Sequence, residues 1–178
     1  MTNRAHFFAL SALVALELTA PTPAMAATGD QTFTVVIQGK LSDGNATPTR
    51  AVVVANGVIN AVGSDQFLPS QPGDPPNVDR DLFTFPNGTL TIKVTNVTFS
   101  GGPPDPRSCV AQFAQTGTWD VIGGTGAYAR ASGGATFSLR GTGVAARLPG
   151  GGCADDATFV IVDRAAGDLV LPSDGANL

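Results

Sequence analysis

The sequence predicts an all-β fold: one antiparallel domain, barrel or sandwich, built from roughly seven to nine short strands. Three observations lead there. Short apolar or alternating runs recur at regular spacing, Gly-, Pro- and Asn-rich turn signals punctuate them, and helical periodicity is absent beyond residue 26. The chain of 178 residues is about one domain long, with 22 glycines and 13 prolines, which fits a loop-rich folded domain rather than a low-complexity one.

Residues 32–41 alternate, with Phe33, Val35, Ile37, Gly39 and Leu41 on one face and mostly polar side chains on the other, as in a half-buried strand. Residues 50–55 and 58–62 are short apolar runs around Asn56-Gly57, a pair suited to the positive φ angles of a type I′ hairpin turn. The span 69–79, rich in proline and aspartate, is expected to be a surface loop, because each proline removes a backbone donor. Residues 81–85 and 89–99 read as a second hairpin across Pro86-Asn87-Gly88. After a Gly/Pro loop at 100–107, residues 110–116, 117–122, 135–144 and 157–163 are four further strand candidates. From about residue 165 the pattern weakens, so a loose tail is expected, with Leu169 to Leu171 as its one strand-like stretch.

Composition bounds the chemistry. Residues 1–26 read as a secretory signal: Arg4 gives the positive start, residues 7–16 the apolar core, and Ala24-Met25-Ala26 the small-x-small cleavage site. Glu17 and Pro21 interrupt the apolar stretch before it reaches the roughly 18–20 residues of a membrane span. The expected location is therefore extracellular, after cleavage near Ala26. His6, the only histidine, and Glu17, the only glutamate, would leave with that segment. Histidine-based triads, histidine-ligated metals and imidazole switching are then excluded, and the reading assigns neither metal nor cofactor. The net charge of -4, with ten Lys and Arg scattered singly, gives no footprint for nucleic acid or anionic membranes. Cys109 and Cys153, an even pair in an exported chain, are expected to form a disulfide.

One segment is more specific. Trp119-Asp120-Val121-Ile122 leads into Gly123-Gly124-Thr125-Gly126-Ala127-Tyr128, followed by Ala131 and Gly133. Glycines around Thr125 permit left-handed or bulged backbone, and Tyr128 can fold its ring back over the turn. A phosphate cradle lacks its parts here, since no lysine and no helix follow the glycines. Over about fifteen residues the segment resembles the dirigent and allene oxide cyclase group, whose motif is G-G-[TS]-G-x-[FY], then a small residue and a glycine. The resemblance implies a closed eight-stranded antiparallel β-barrel around an apolar cavity. It also implies binding of a small hydrophobic molecule whose cyclisation or coupling the barrel directs, and, since plant dirigent relatives are oligomeric, it admits a homo-oligomer. Two departures stand out. Ser132 occupies a place where dirigent proteins commonly carry a basic residue, with Arg130 two positions earlier, and the cavity glutamate of the cyclases would need an aspartate in its stead.

The remaining inventory for a site is carboxylate, guanidinium and hydroxyl, and no catalytic residue is assigned. Trp119 and Asp120 are neighbours in a strand, so they face opposite sides. With Trp119 inward, Asp120 is a surface charge; with Asp120 inward beside Arg130 or Arg140, an ion pair would anchor a ligand's polar end. The candidate ligand residues are thus Trp119, Asp120, Tyr128, Arg130 and Arg140. Asp79 with Asp81, and Asp155 with Asp156, are neighbouring pairs for carboxylate hydrolysis, but their turn-like contexts favour solvated loops. Asp74, Asn77, Asp79 and Asp81 offer oxygens for calcium without EF-hand spacing. The competing reading is a non-catalytic structural or interaction module whose barrel is packed solid.

Overall fold

A computed structural model describes residues 26–172; the signal reading of residues 1–25 lies outside them. Eight strands follow in order: β1 (Ala27–Ser42), β2 (Asn45–Gly57), β3 (Ala61–Leu68), β4 (Val78–Phe85), β5 (Gly88–Gly101), β6 (Val110–Gly124), β7 (Ser132–Arg147) and β8 (Cys153–Leu171), with a short 3-10 turn at Gly126–Tyr128 before β7. Each strand pairs antiparallel with the next, and β8 pairs with β1, so the sheet closes into an eight-stranded barrel.

The alternation that marks β1 in sequence is its burial pattern: Phe33, Val35, Ile37 and Gly39 are buried while Thr32, Gln38 and Lys40 are exposed. Several boundaries differ from the sequence reading, each for a local reason. The type I′ hairpin is Asp43-Gly44, where φ is 51° and 76° and Ser42 pairs with Asn45. Asn56-Gly57 does not make such a turn; pairing of β2 with β3 stops at Ala55 opposite Ala61, and the chain between bulges inward to bury Ile59. Residues 110–116 and 117–122 are one strand, since Gly117 continues the pairing of β6 with Phe137 of β7. The expected loose tail from residue 165 is instead the second half of β8, paired with β1 through Leu171 opposite Ala27. Its weak pattern reflects a strand clamped between two neighbours, with small residues such as Ala165 and Gly167 facing a crowded interior.

Up-and-down order sends the strand ends to two rims. The lower rim carries the connections 58–60, 86–87 and 125–131, and the upper rim carries 43–44, 69–77, 102–109 and 148–152. The lower half is packed with rings: Phe83 lies 5.6 Å from Phe33 and 5.3 Å from Trp119, and Phe85 meets Tyr128 edge-on at 5.8 Å. Leu90, Ile92 and Leu169 fill the space between them. Gln31 ties the 58–60 connection to this plug, its Oε1 accepting from Ile59 N at 2.7 Å.

The glycine motif closes the same rim. Gly126 adopts φ 59° beneath the β4–β5 turn, where a β-carbon would stand 2.4 Å from the Asn87 carbonyl oxygen. Ala127 N donates to that oxygen at 2.8 Å, and the Thr125 and Thr89 hydroxyls meet at 2.8 Å. Gly123 and Gly124 end β6, and Gly133 takes φ 151° at the start of β7. On the opposite rim the Cys109–Cys153 disulfide, Cα–Cα 5.4 Å, joins the β5–β6 connection to the first residue of β8. Among the described residues no helix is long and apolar enough to cross a membrane.

Candidate functional site

The aromatic plug stops halfway up the barrel, and above it the lumen holds a cavity of about 290 Å³ that opens toward the upper rim. Its floor is Trp119 and Phe137, and its walls include Val35 and Ile37 from β1, Leu139 from β7 and Ile161 from β8. Asp65 of β3, Asp81 of β4 and Asp163 of β8 interrupt this apolar surface. Each sits at an inward position of its strand: Asp65 between Gly63 and Phe67, Asp81 two residues before Phe83, and Asp163 between Ile161 and Ala165.

These three carboxyls are more than nine-tenths buried, at 9%, 7% and 6% exposure, and Oδ1 of each has no hydrogen-bond partner. Removing an ionised carboxylate from water without a partner is costly, so each holds its proton far above the ordinary range. Burial pushes Asp81 up to about 8, with the Asp65, Asp79 and Asp163 charges adding to it. Burial raises Asp65 to about 7, assisted by the charge of Asp163 and opposed by a backbone hydrogen bond at Gln66. Asp163 rises to about 7 through burial, against a backbone hydrogen bond at Arg164. Near neutral pH the cluster therefore holds and exchanges protons. The indole Nε1 of Trp119 is a fourth buried polar atom without a partner.

The mouth is more conventional. Arg80, the one basic side chain in the cavity lining, is held by Asp74 through Nε to Oδ2 at 2.9 Å and Nη2 to Oδ1 at 2.8 Å. That fork-on-fork pair holds the Asp74 carboxyl down to about 2 and leaves no basic group to balance the buried acids. Asp79 accepts from Asn96 Nδ2 at 2.7 Å.

The structure brings together few of the residues singled out from sequence. Trp119 is inward and lines the cavity. Asp120 is on the outer surface, 3.2 Å from Lys93 Nζ, which is the surface-charge alternative. The proposed inward pairing with Arg130 or Arg140 does not form, because both arginines are exposed on the outside of the barrel. Arg130 takes φ 63° in the connection before β7 rather than a strand position, so the regular-strand argument for its direction fails. Tyr128 is buried in the lower plug against Phe85, remote from the open half. Asp155 and Asp156 are exposed. Asp79 and Asp81 both lie within β4, so the turn-like context does not hold for the pair, while the strand expected from Asp81 onward does. The calcium set does not assemble: Asp74 is committed to Arg80, and among the described residues no three His, Cys, Asp or Glu converge closely enough to ligate one metal ion.

Sequence reasoning missed Asp65 and Asp163 as site residues, and set Asp81 in a strand without giving it an inward role. A signal was present for Asp81, whose spacing of two and four residues from Phe83 and Phe85 puts it on their face. Comparison with family models, with curated proteins and with solved structures finds no match for the chain.

Proposed function

We propose that the protein is a secreted binding barrel that takes a small, largely apolar molecule into the upper half of its lumen. One observation carries this reading: the interior is packed by rings below and left open above, in a cavity with apolar walls and a few unsatisfied polar atoms. Ligand pockets have this composition, and a cavity of about 290 Å³ lies at the small end of their range. An eight-stranded barrel can either fill its interior or hold one such guest. Export is supported by the sequence pattern of residues 1–26 and is compatible with the disulfide.

The resemblance to the dirigent and allene oxide cyclase group extends the proposal to directing a cyclisation or coupling of the bound molecule. Asp65, Asp81 and Asp163 supply the aspartates that such a role would need in place of glutamate. A proton-holding group near neutral pH is the property required of a general acid or base.

The test is titration with an environment-sensitive apolar dye, read by the dye and by Trp119, the single tryptophan. Saturable one-to-one binding is expected, and Ile161→Trp, which fills the cavity, is expected to abolish it while the barrel stays folded. Absence of dye binding by the intact, disulfide-bonded protein would favour the solidly packed module.

A further inference from the structure

The reading of the upper lumen as a ligand pocket leaves the ligand's chemistry open, and three features narrow it. First, three carboxyls from three different strands face one small cavity, each with an oxygen that nothing in the protein satisfies. A protein that only needed to bind a hydrocarbon would gain by replacing them with apolar side chains, since unpaired buried polar groups destabilise. Second, the charge is one-sided. The titratable groups in the lining are Asp65 from β3, Asp79, Arg80 and Asp81 from β4, and Asp163 from β8, while the lining from β1, β5, β6 and β7 adds none. Arg80 is already paired with Asp74. Third, the three carboxyls do not form a metal-ligating group, so the lining gives no ground for a metal ion as the missing positive partner.

From this juxtaposition we propose that the lumen is an amine site: it takes an apolar molecule bearing a protonated amine, with the ammonium among Asp65, Asp81 and Asp163 and the body against Ile37, Leu139 and Ile161. An ammonium is a donor without acceptors, which is the complement of a carboxylate that accepts only. An aromatic floor of Trp119 and Phe137 adds to the fit, since aromatic rings attract cations.

Binding of a cation requires the acids around it to ionise, so protons leave as the amine enters. Affinity accordingly rises from pH 5 to pH 8, and the protein releases protons on binding, a quantity read by calorimetry in two buffers of different ionisation enthalpy. The experiment compares 4-phenylbutylamine, 4-phenylbutanol and 4-phenylbutanoate, three probes of one shape, on the full disulfide-bonded protein at both pH values, with calcium chloride as an inorganic cation. At pH 8 the amine is expected to bind at least about tenfold tighter than the alcohol and the carboxylate to bind weakest. At pH 5 the preference for amine over alcohol is expected to shrink. Asp81→Asn and Asp163→Asn, tested singly and together, are expected to lose the amine preference while keeping alcohol binding, which also shows that they fold. Equal affinity for amine and alcohol overturns the amine site and leaves the apolar pocket standing. A preference that survives the double variant also overturns it, as does a saturable calcium response that the amine does not match. Failure of all three organic probes at both pH values overturns the pocket itself.

Discussion

At the scale of single residues, the unusual feature is acid placed where the strand pattern calls for hydrocarbon. Asp65, Asp81 and Asp163 are protonated in the folded barrel at pH values where an unfolded chain has ionised them. Below about pH 4 both states carry the proton and the three groups contribute nothing to pH dependence. Between about pH 4 and pH 8 the unfolded state binds fewer protons than the folded one, so stability falls as pH rises. The melting temperature is therefore expected to be several degrees higher at pH 4.5 than at pH 8, and Asp81→Asn to flatten that slope and raise the value at pH 8. Asp74 has the opposite sign: its lowered carboxyl supports the fold above its ordinary range and loses that support as pH falls toward 2. The part-buried pair with Arg80 lies at the mouth, where solvent still screens it, so acid unfolding through it is expected to be shallow. Asp81 was legible as the start of a strand and in phase with Phe83 and Phe85, but its pairing with Asp79 beside the proline-rich stretch suggested a solvated turn. Asp163 was not legible, because Val160, Ile161 and Val162 are apolar on both faces of β8 and erase the alternation that would assign its side.

At the scale of elements, two covalent or conformational constraints fix the rims. The disulfide spans 44 residues and joins the β5–β6 connection to the start of β8 at the upper rim. Chain-entropy arguments put its contribution at about 4 kcal/mol, so the Cys109→Ser, Cys153→Ser double variant is expected to lose up to that much in denaturant titration. At the lower rim, Gly126→Ala places a β-carbon on the Asn87 carbonyl with the backbone at positive φ. A loss of about 2 kcal/mol is expected, read in the same titration, with the cavity far above left able to bind dye. Most strands were legible because the turn residues and apolar runs report local backbone preference, but β3 was expected at 58–62, of which 58–60 is the connection. The turns themselves were less so: Asp43-Gly44 and Asn56-Gly57 are equally good local signals, and only the first has strands in register on both sides. What decides between them is the burial of Ile59 and its bonds to Gln31, a contact made across 28 residues.

At the scale of the whole molecule, closure of eight strands gives one interior with two unlike halves, an aromatic plug tied to the glycine turn and an acid-bearing cavity under the disulfide-clipped rim. The division explains why the motif that suggested the fold contributes so little to the candidate site: Gly126 and Tyr128 close the lower end, and only Trp119 reaches the open half. The all-β class was legible from rhythm and turn chemistry and the closed barrel was implied by the resemblance, whereas the site depends on which face each strand turns inward after closure, a property of register that local sequence does not carry. Three carboxyls are held in the lumen, each with one buried oxygen that no protein group satisfies. Carboxyl-carbon NMR titration of the aspartates in the free protein tests that most directly. Three carboxyls with midpoints at about 7 to 8, assigned to Asp65, Asp81 and Asp163, are predicted. Titration of all three below pH 5 would show them solvated and the lumen closed to the role given it.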